Sequence, residues 1–376
     1  MVVFGTRPEA IKVAPVIAEL ERSERFVPVV AVTAQHREML DQVLATFGIV
    51  PDHDLAILTA GQTLADVTVR ALQGLTPLIE RVTPDAVLVQ GDTTTTFAGA
   101  LAAFYQKVPV AHLEAGLRTG DPYSPYPEEI NRRLTTQLTS LHLPPTPAAR
   151  DNLLAEGVDP SRVVVTGNTV IDALLWAAER KFPYGDPLLD RLDEDQRRLL
   201  LVTAHRRESW GPAMVSIGRA LAELATTEPD LLVVFPIHRN PVVRDAILPS
   251  IGGLANVIVT EPLPYGAFAR LIARSDVILT DSGGIQEEGP SLGKPVLVMR
   301  DTTERPEAVA AGTARLVGTA LDAIVSNVRG LLHDQRAFDE MAHAVNPYGD
   351  GHAAPRVVQA LAHFFGEGPP ADQFHG

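Results

Sequence analysis

The sequence contains no cysteine. That excludes disulfides, thiolate metal sites and a cysteine nucleophile, and it points to a reducing, cytoplasmic setting. Long apolar runs are also missing, since none approaches the ~18 residues that a membrane-spanning helix needs. The opening MVVFGTRPEA lacks a basic segment followed by an apolar stretch and a small-residue cleavage site, so no signal peptide is expected. Neither HExxH nor a histidine pair at ligand spacing occurs, and chemistry without a metal or cofactor is expected. Lysine is scarce, at four residues, which reflects composition and carries no functional content. The net charge of -14 disfavours a nucleic-acid partner, which would call for a basic face. A phosphorylated ligand remains compatible, because helix dipoles and a few arginines decide that contact locally.

What is present is an ordinary globular composition, 376 residues with 45% apolar and 21% charged, long enough for two or three domains. Short β-branched runs alternate with amphipathic segments. Strands are expected at Val27–Thr33, Ala86–Gln90, Val108–His112 and Val163–Val165. A second series is expected at Leu199–Thr203, Leu231–Pro236, Val257–Val259, Val277–Thr280 and Pro295–Met299. Near-continuous apolar runs such as AVLVQ and LLLVT suit parallel strands covered on both faces. Only Met1 to Phe4 precede the first turn, which makes for a short first strand. The Pro/Gly/Asp-rich stretch Lys181–Asp195 reads as a connection between two βαβ series. The expected fold is therefore α/β, with two doubly wound parallel sheets facing across a cleft and ligands beyond the strands' carboxyl ends.

Six segments carry candidate chemistry. In GTRPEAIK, Gly5 permits a tight turn, Pro8 starts a helix whose N-terminus suits an anion, and Arg7 and Lys12 add cations. In QGDTTTT, either Asp92 faces the ligand or Asp92 or Thr93 merely caps the next helix. The loop from His112 to Arg133 bears Glu114, Arg118, Asp121, Glu128, Glu129 and Arg132. One of Glu128 and Glu129 has a local role available at the helix start after Pro127, whereas Glu114 directly follows a buried-looking strand. Several carboxylates at strand ends are what proton transfer needs. His205, next to Arg206 and Arg207, and His238, next to Arg239, stand past two strands of the second series. In DSGGIQEE, Ser282, Gly283 and Gly284 let backbone N–H groups approach phosphate, and Glu288 falls one helical turn beyond Gly284. Arg305 follows the next strand.

Nine segments in series, from FGTRPEAIK through TAQHREMLDQVL, QGDTTT, EAGLRT, PEEINRR, HRRES and DSGGIQEE to GKPVLVMRDTTERPEA and NPYGDG, closely resemble the bacterial non-hydrolysing UDP-N-acetylglucosamine 2-epimerases. The resemblance implies a GT-B fold of two Rossmann-like domains. The first would be residues 1–168 with a crossing helix in 353–376, and the UDP-binding second would be 169–352. It implies a cytoplasmic homodimer, with no nucleic acid, membrane or cofactor involved, that converts UDP-N-acetylglucosamine to UDP-N-acetylmannosamine through a bound 2-acetamidoglucal and UDP. By position, Asp92, Glu114, Glu128 and His205 match the catalytic group. Arg7, Lys12, Leu263, Phe268, Ser282, Gly283, Gly284, Glu288 and Arg305 match the substrate binders. Gln35, Arg206 and His238 match the site of a second UDP-N-acetylglucosamine that acts as activator in some members, where Glu38 and Gly61 depart from the pattern. A hydrolysing epimerase, a relative using a modified sugar nucleotide and a GT-B glycosyltransferase are the competing activities.

Overall fold

In the computed structural model, which describes residues 1–34, 37–57, 59 and 61–376, the chain forms two units. One is Met1–Ala173 with Tyr348–Gly376, and the other is Leu174–Pro347. The first begins β1 (Val2–Phe4), α1 (Arg7–Arg22), β2 (Val30–Val32), α2 (Arg37–Phe47), β3 (His53–Asp54) and α3 (Leu64–Val82). It continues β4 (Val87–Gln90), α4 (Thr94–Tyr105), β5 (Val110–Leu113), α5 (Glu128–Leu138), β6 (Leu141–Leu143) and α6 (Pro147–Ala155). Helix α7 (Thr169–Glu179) runs from one unit into the other.

The second unit holds β7 (Arg198–Thr203), α8 (Pro212–Thr227), β8 (Leu231–Pro236), α9 (Pro241–Ile251), β9 (Val257–Thr260) and α10 (Tyr265–Arg274). Then follow β10 (Val277–Thr280), α11 (Gly283–Ser291), β11 (Val296–Val298), α12 (Pro306–Ala310), β12 (Ala314–Leu316), α13 (Leu321–His333) and α14 (Gln335–Ala342). Helix α15 (Ala353–Phe364) returns to the first unit and packs on α1 and β6. Its N-terminus is met by buried Asp172, which accepts from the backbone N–H groups of Ala353 (3.2 Å) and Ala354 (2.8 Å).

The two sheets share one topology. The first runs β3-β2-β1-β4-β5-β6 and the second β12-β11-β10-β7-β8-β9, with every pairing parallel. Counted within each unit, both follow the doubly wound order 3-2-1-4-5-6, whose direction reverses between β1 and β4 and between β7 and β10. Crevices open beyond the carboxyl ends of these strand pairs, because the connections leave in opposite directions there. Buried aliphatic side chains explain the continuous apolar runs: Val3, Val87 and Val89 pack beneath α3 and α4, and Leu200, Val202, Val233 and Leu279 beneath α8 and α13.

Several expected boundaries move. Pro28 lacks a ladder donor, Val27 is exposed, and the strand covers only Val30–Val32. Val163 makes an isolated bridge to His142 instead of starting a strand. The short strands β3, β6 and β12 were not anticipated, since two or three residues give too little pattern. The segment 181–195 lies inside the second unit, not between units. Its composition suggested an exposed connection, yet Tyr184, Leu189 and Leu192 are buried. The Tyr184 hydroxyl donates to Asp193 (2.8 Å), which also pairs with Arg270 (2.6 Å).

Candidate functional site

The first unit's crevice is built by the turns that follow β1, β4 and β5. Gly5 is required because a Cβ there would lie 2.1 Å from Thr33 Oγ1 and 2.6 Å from Thr95 Oγ1. Thr6 and Glu9 then close a reciprocal cap on α1. Glu9 is buried, and burial pushes its pKa up despite the donors around it. It accepts from Gly5 N (3.1 Å) and Thr6 N (2.8 Å), and from the hydroxyls of Thr93 (2.8 Å) and Thr96 (3.2 Å). Glu9 therefore ties the turn after β1 to the turn after β4. Arg7, half-buried, occupies the first position of α1.

The cap of α4 is Thr93, whose hydroxyl accepts from Thr96 N at 3.1 Å. Asp92 has a different role, receiving the Arg132 guanidinium with Nε at 3.1 Å. The carbonyl of Asp92 also accepts from the Asn131 side chain (3.0 Å), so Asp92 is fastened to α5. At the start of α5 the two glutamates divide. Glu129 is fully buried, accepts from Thr119 N (3.0 Å) and Gly120 N (3.3 Å), and pairs with Arg132 and Arg133. Glu128 is half-buried at the first helical position, and the local work falls to its neighbour.

Glu114 stands at the end of β5 in the left-handed region, with φ 62°, where a side-chain-bearing residue costs ~1–2 kcal/mol. Its carboxylate is buried among donors. Lys12 Nζ lies 2.6 Å from both oxygens, Gln90 Nε2 donates to one of them, and Asn168 Nδ2 lies at 3.3 Å. Beside it, Gly91 leads into Asp92, and a Cβ on Gly91 would be 3.6 Å from Glu114 Oε2. Buried His112 donates from Nε2 to the Gly91 carbonyl at 2.6 Å. A carbonyl can only accept, so Nε2 carries a proton, and burial takes the pKa of the ring down to about 4, which keeps it neutral near pH 7. The structure thus brings Asp92, Glu114 and Lys12 into one corner, with α5 joined to it through Asn131 and Arg132.

The second unit's crevice lies beyond β7 and β10. Fully buried Asp281 accepts from the N–H groups of His205 (2.7 Å) and Arg206 (2.8 Å), and its other oxygen lies 3.0 Å from His205 Nδ1. Burial works against its charge, but the hydrogen bonds and the neighbouring imidazole hold Asp281 below the usual carboxylate range. A proton on Nδ1 would face this carboxylate and leave Nε2 of His205 for a ligand. The His205 ring stacks on that of His238, with centroids 5.9 Å apart. With Arg206, Trp210 and Asn240 they line a surface pocket of about 480 Å³.

Ser282 precedes α11 and Gly283 opens it. Gly284 and Glu288 share a face, a Cβ on Gly284 lying 3.9 Å from Glu288 Oε2. Glu287 turns the other way, is buried, and pairs with Arg305. Thr303 Oγ1 donates to Gln286 at 2.6 Å, so the loop after β11 is stapled to α11 at two points. Leu263 and Phe268 are half-buried just before and within α10. Gln35 and the Glu38 side chain lie outside the described residues. The sequence reading missed Asp281, Glu9 and Gln90, which reach the site residues through hydrogen bonds. The aspartate heading DSGG was the available signal.

The sequence profile of the UDP-N-acetylglucosamine 2-epimerases matches residues 18–362. The UDP-N-acetylglucosamine 2-epimerase of Escherichia coli K12 is 53% identical over 374 residues, covering 96% of this chain and 97% of the relative. Among solved structures, the Neisseria meningitidis UDP-GlcNAc 2-epimerase bound to UDP-GlcNAc superposes with a TM-score of 0.84 at 49% identity, covering 96% of this chain and 99% of that one. The Methanocaldococcus jannaschii enzyme in complex with UDP-GlcNAc and UDP gives 0.75 at 32% identity, covering 96% and 99%. Two Rossmann-like units of the GT-B type, bearing both groups of turns, match these relatives along nearly their whole length. The chain accordingly belongs to the UDP-N-acetylglucosamine 2-epimerase family.

Proposed function

We propose that this protein interconverts UDP-N-acetylglucosamine and UDP-N-acetylmannosamine without net hydrolysis. The observation that carries the reading is the donor-lined carboxylate corner of Asp92 and Glu114 in a chain that also has the DSGG turn. A C2 proton of a sugar is weakly acidic, so its removal needs a leaving group that departs with charge. A carboxylate takes the C2 proton, the C2 electron pair forms a C1=C2 double bond, and the C1–O bond breaks with its pair going to UDP. In return, UDP oxygen re-bonds to C1, and C2 is protonated on the opposite face. Asp92, Glu114 and Glu128 are the acid and base groups, and His205, oriented by Asp281, assists the departing diphosphate. The Ser282 hydroxyl and the N–H groups of Gly283 and Gly284, with Arg7, Lys12 and Arg305, stabilise developing phosphate charge. Glu288 accepts the ribose hydroxyls, and Leu263 and Phe268 receive the uracil.

Three further assignments belong to this reading. The pocket at His205, Arg206 and His238 takes a second UDP-N-acetylglucosamine as activator. The exposed apolar side chains Val69, Phe104, Tyr105, Ile130 and Leu134 on α3, α4 and α5 form a homodimer face, which sedimentation would detect. The product supplies surface-polysaccharide precursors in the cytoplasm. Product analysis tests the activity: UDP-N-acetylmannosamine is expected from purified protein and UDP-N-acetylglucosamine. Free N-acetylmannosamine with UDP would assign the chain to hydrolysis instead, and an unchanged substrate would overturn the reading.

A further inference from the structure

The residue that rests on the DSGG turn is Glu304, which no motif reading singled out. Its Oε1 lies 3.1 Å from the position of a Cβ on Gly283, the first residue of α11, with Arg206 Nη2 at 3.4 Å from the same point. A carboxylate therefore already sits beside the first residue of α11, at the helix end whose dipole attracts an anion. Two guanidinium groups hold it: Arg206 pairs with Oε1 and Arg300 Nη1 lies 2.5 Å from Oε2.

We propose that Glu304 is a built-in counter-anion of the diphosphate cradle, occupying it in the unliganded protein and yielding its place, together with the Arg206 guanidinium, to an incoming nucleotide diphosphate. This rests on the assignment of the DSGG turn to the diphosphate. Two negative groups cannot share one cradle without a large mutual penalty, so entry of the ligand and departure of the carboxylate are one event.

The surroundings make that exchange local. On either side of Glu304 the loop is fastened to α11, through Thr303 to Gln286 and through Arg305 to Glu287. The backbone can stay in place while the side chain, about a third exposed, changes rotamer. Arg300 is nearly buried, and its Nε lies 2.6 Å from Glu208, so it keeps a carboxylate when Glu304 leaves. Arg206 loses its carboxylate in the same step and gains the phosphate in exchange. Protonation offers no alternative exit. Burial favours the neutral acid, but the hydrogen bonds from Arg300 and Arg206 outweigh it and bring Glu304 down to about 2.

The consequence is a sign. A residue that only positioned Arg206 for substrate would, on removal, weaken nucleotide binding. A resident competitor would, on removal, strengthen it. The experiment is isothermal titration of UDP into wild type, Glu304→Gln, Glu304→Ala and the control Asp301→Asn, which removes the same charge from the same loop away from Gly283. The expected result is a UDP Kd lowered by about 5-fold or more in both Glu304 variants, a steeper rise of Kd with salt, and inorganic phosphate raising the melting temperature of the variants more than that of wild type. Asp301→Asn should stay within about 2-fold of wild type. Equal or weaker UDP binding by folded Glu304 variants overturns the inference alone, as does equal tightening by Asp301→Asn. Wild type that fails to bind UDP overturns the functional assignment and the inference with it.

Discussion

Glu114→Gln is the substitution that tests the first unit most sharply. The exchange keeps shape and removes charge. In the structure, Lys12, Gln90 and Asn168 all present donors to the two carboxylate oxygens. A glutamine side chain has one acceptor oxygen and an NH₂ that cannot accept, so at least one donor faces another donor. Breaking a buried ion pair by removing one partner costs ~3–5 kcal/mol. Lys12 is 21% exposed, and water takes over part of that loss, which leaves ~2–3 kcal/mol with the displaced donor included. For a unit of about 200 residues this corresponds to a melting temperature lower by ~5–10 °C. Turnover should fall by about 100-fold or more if Glu114 transfers the proton. Differential scanning fluorimetry and a coupled turnover assay on the same preparation read both effects. A variant that melts with wild type and turns over within about 3-fold of it would refute the ion-pair geometry and the role together.

Asp281→Asn retains an acceptor for the N–H groups of His205 and Arg206 but turns an NH₂ toward His205 Nδ1, inverting the tautomer. Turnover should drop by about 100-fold with an altered pH profile, and an unchanged profile would refute the orientation. Asp172 is raised by burial from 3.8 to about 6. The folded state thus holds this proton more tightly than the unfolded chain, so its contribution is full below about pH 4 and is lost as pH rises through about 6. The melting temperature of Asp172→Asn should accordingly fall less than that of wild type between pH 4 and pH 7, and parallel curves would contradict this. Gly5→Ala places a Cβ 2.1 Å from Thr33 Oγ1 and should destabilise the first unit by ~2–4 kcal/mol, seen as a lower denaturant midpoint.

The sequence made visible those elements whose pattern exceeded local noise. Leu231–Pro236 and Val277–Thr280 appear with unchanged bounds, because a run of buried aliphatics ended by Pro or Asp has one plausible reading. The edge strand β3, half-buried His53 and exposed Asp54, has no apolar signature at all. Pairing across the sheet creates it, and no neighbour in sequence reports that pairing. The choice between Asp92 and Thr93 as helix cap was equally undecidable from the string, and Arg132, forty residues away, settles it by claiming Asp92. Glu129 likewise proves to hold the preceding loop, accepting from Thr119 N and Gly120 N, which nothing local in the string announces. Asp281 and Glu304 escaped notice for a related reason. Each acts on a residue distant in the chain, and that contact exists only once β7, β10 and β11 stand side by side.

On the proposed mechanism the C2 proton leaves and returns through the solvent-exchanging carboxylates while UDP stays bound. Proton NMR of the purified protein with UDP-N-acetylglucosamine in D₂O tests it most directly. Growth of UDP-N-acetylmannosamine carrying deuterium at C2 is expected. Epimerised product that keeps its original C2 proton would contradict it.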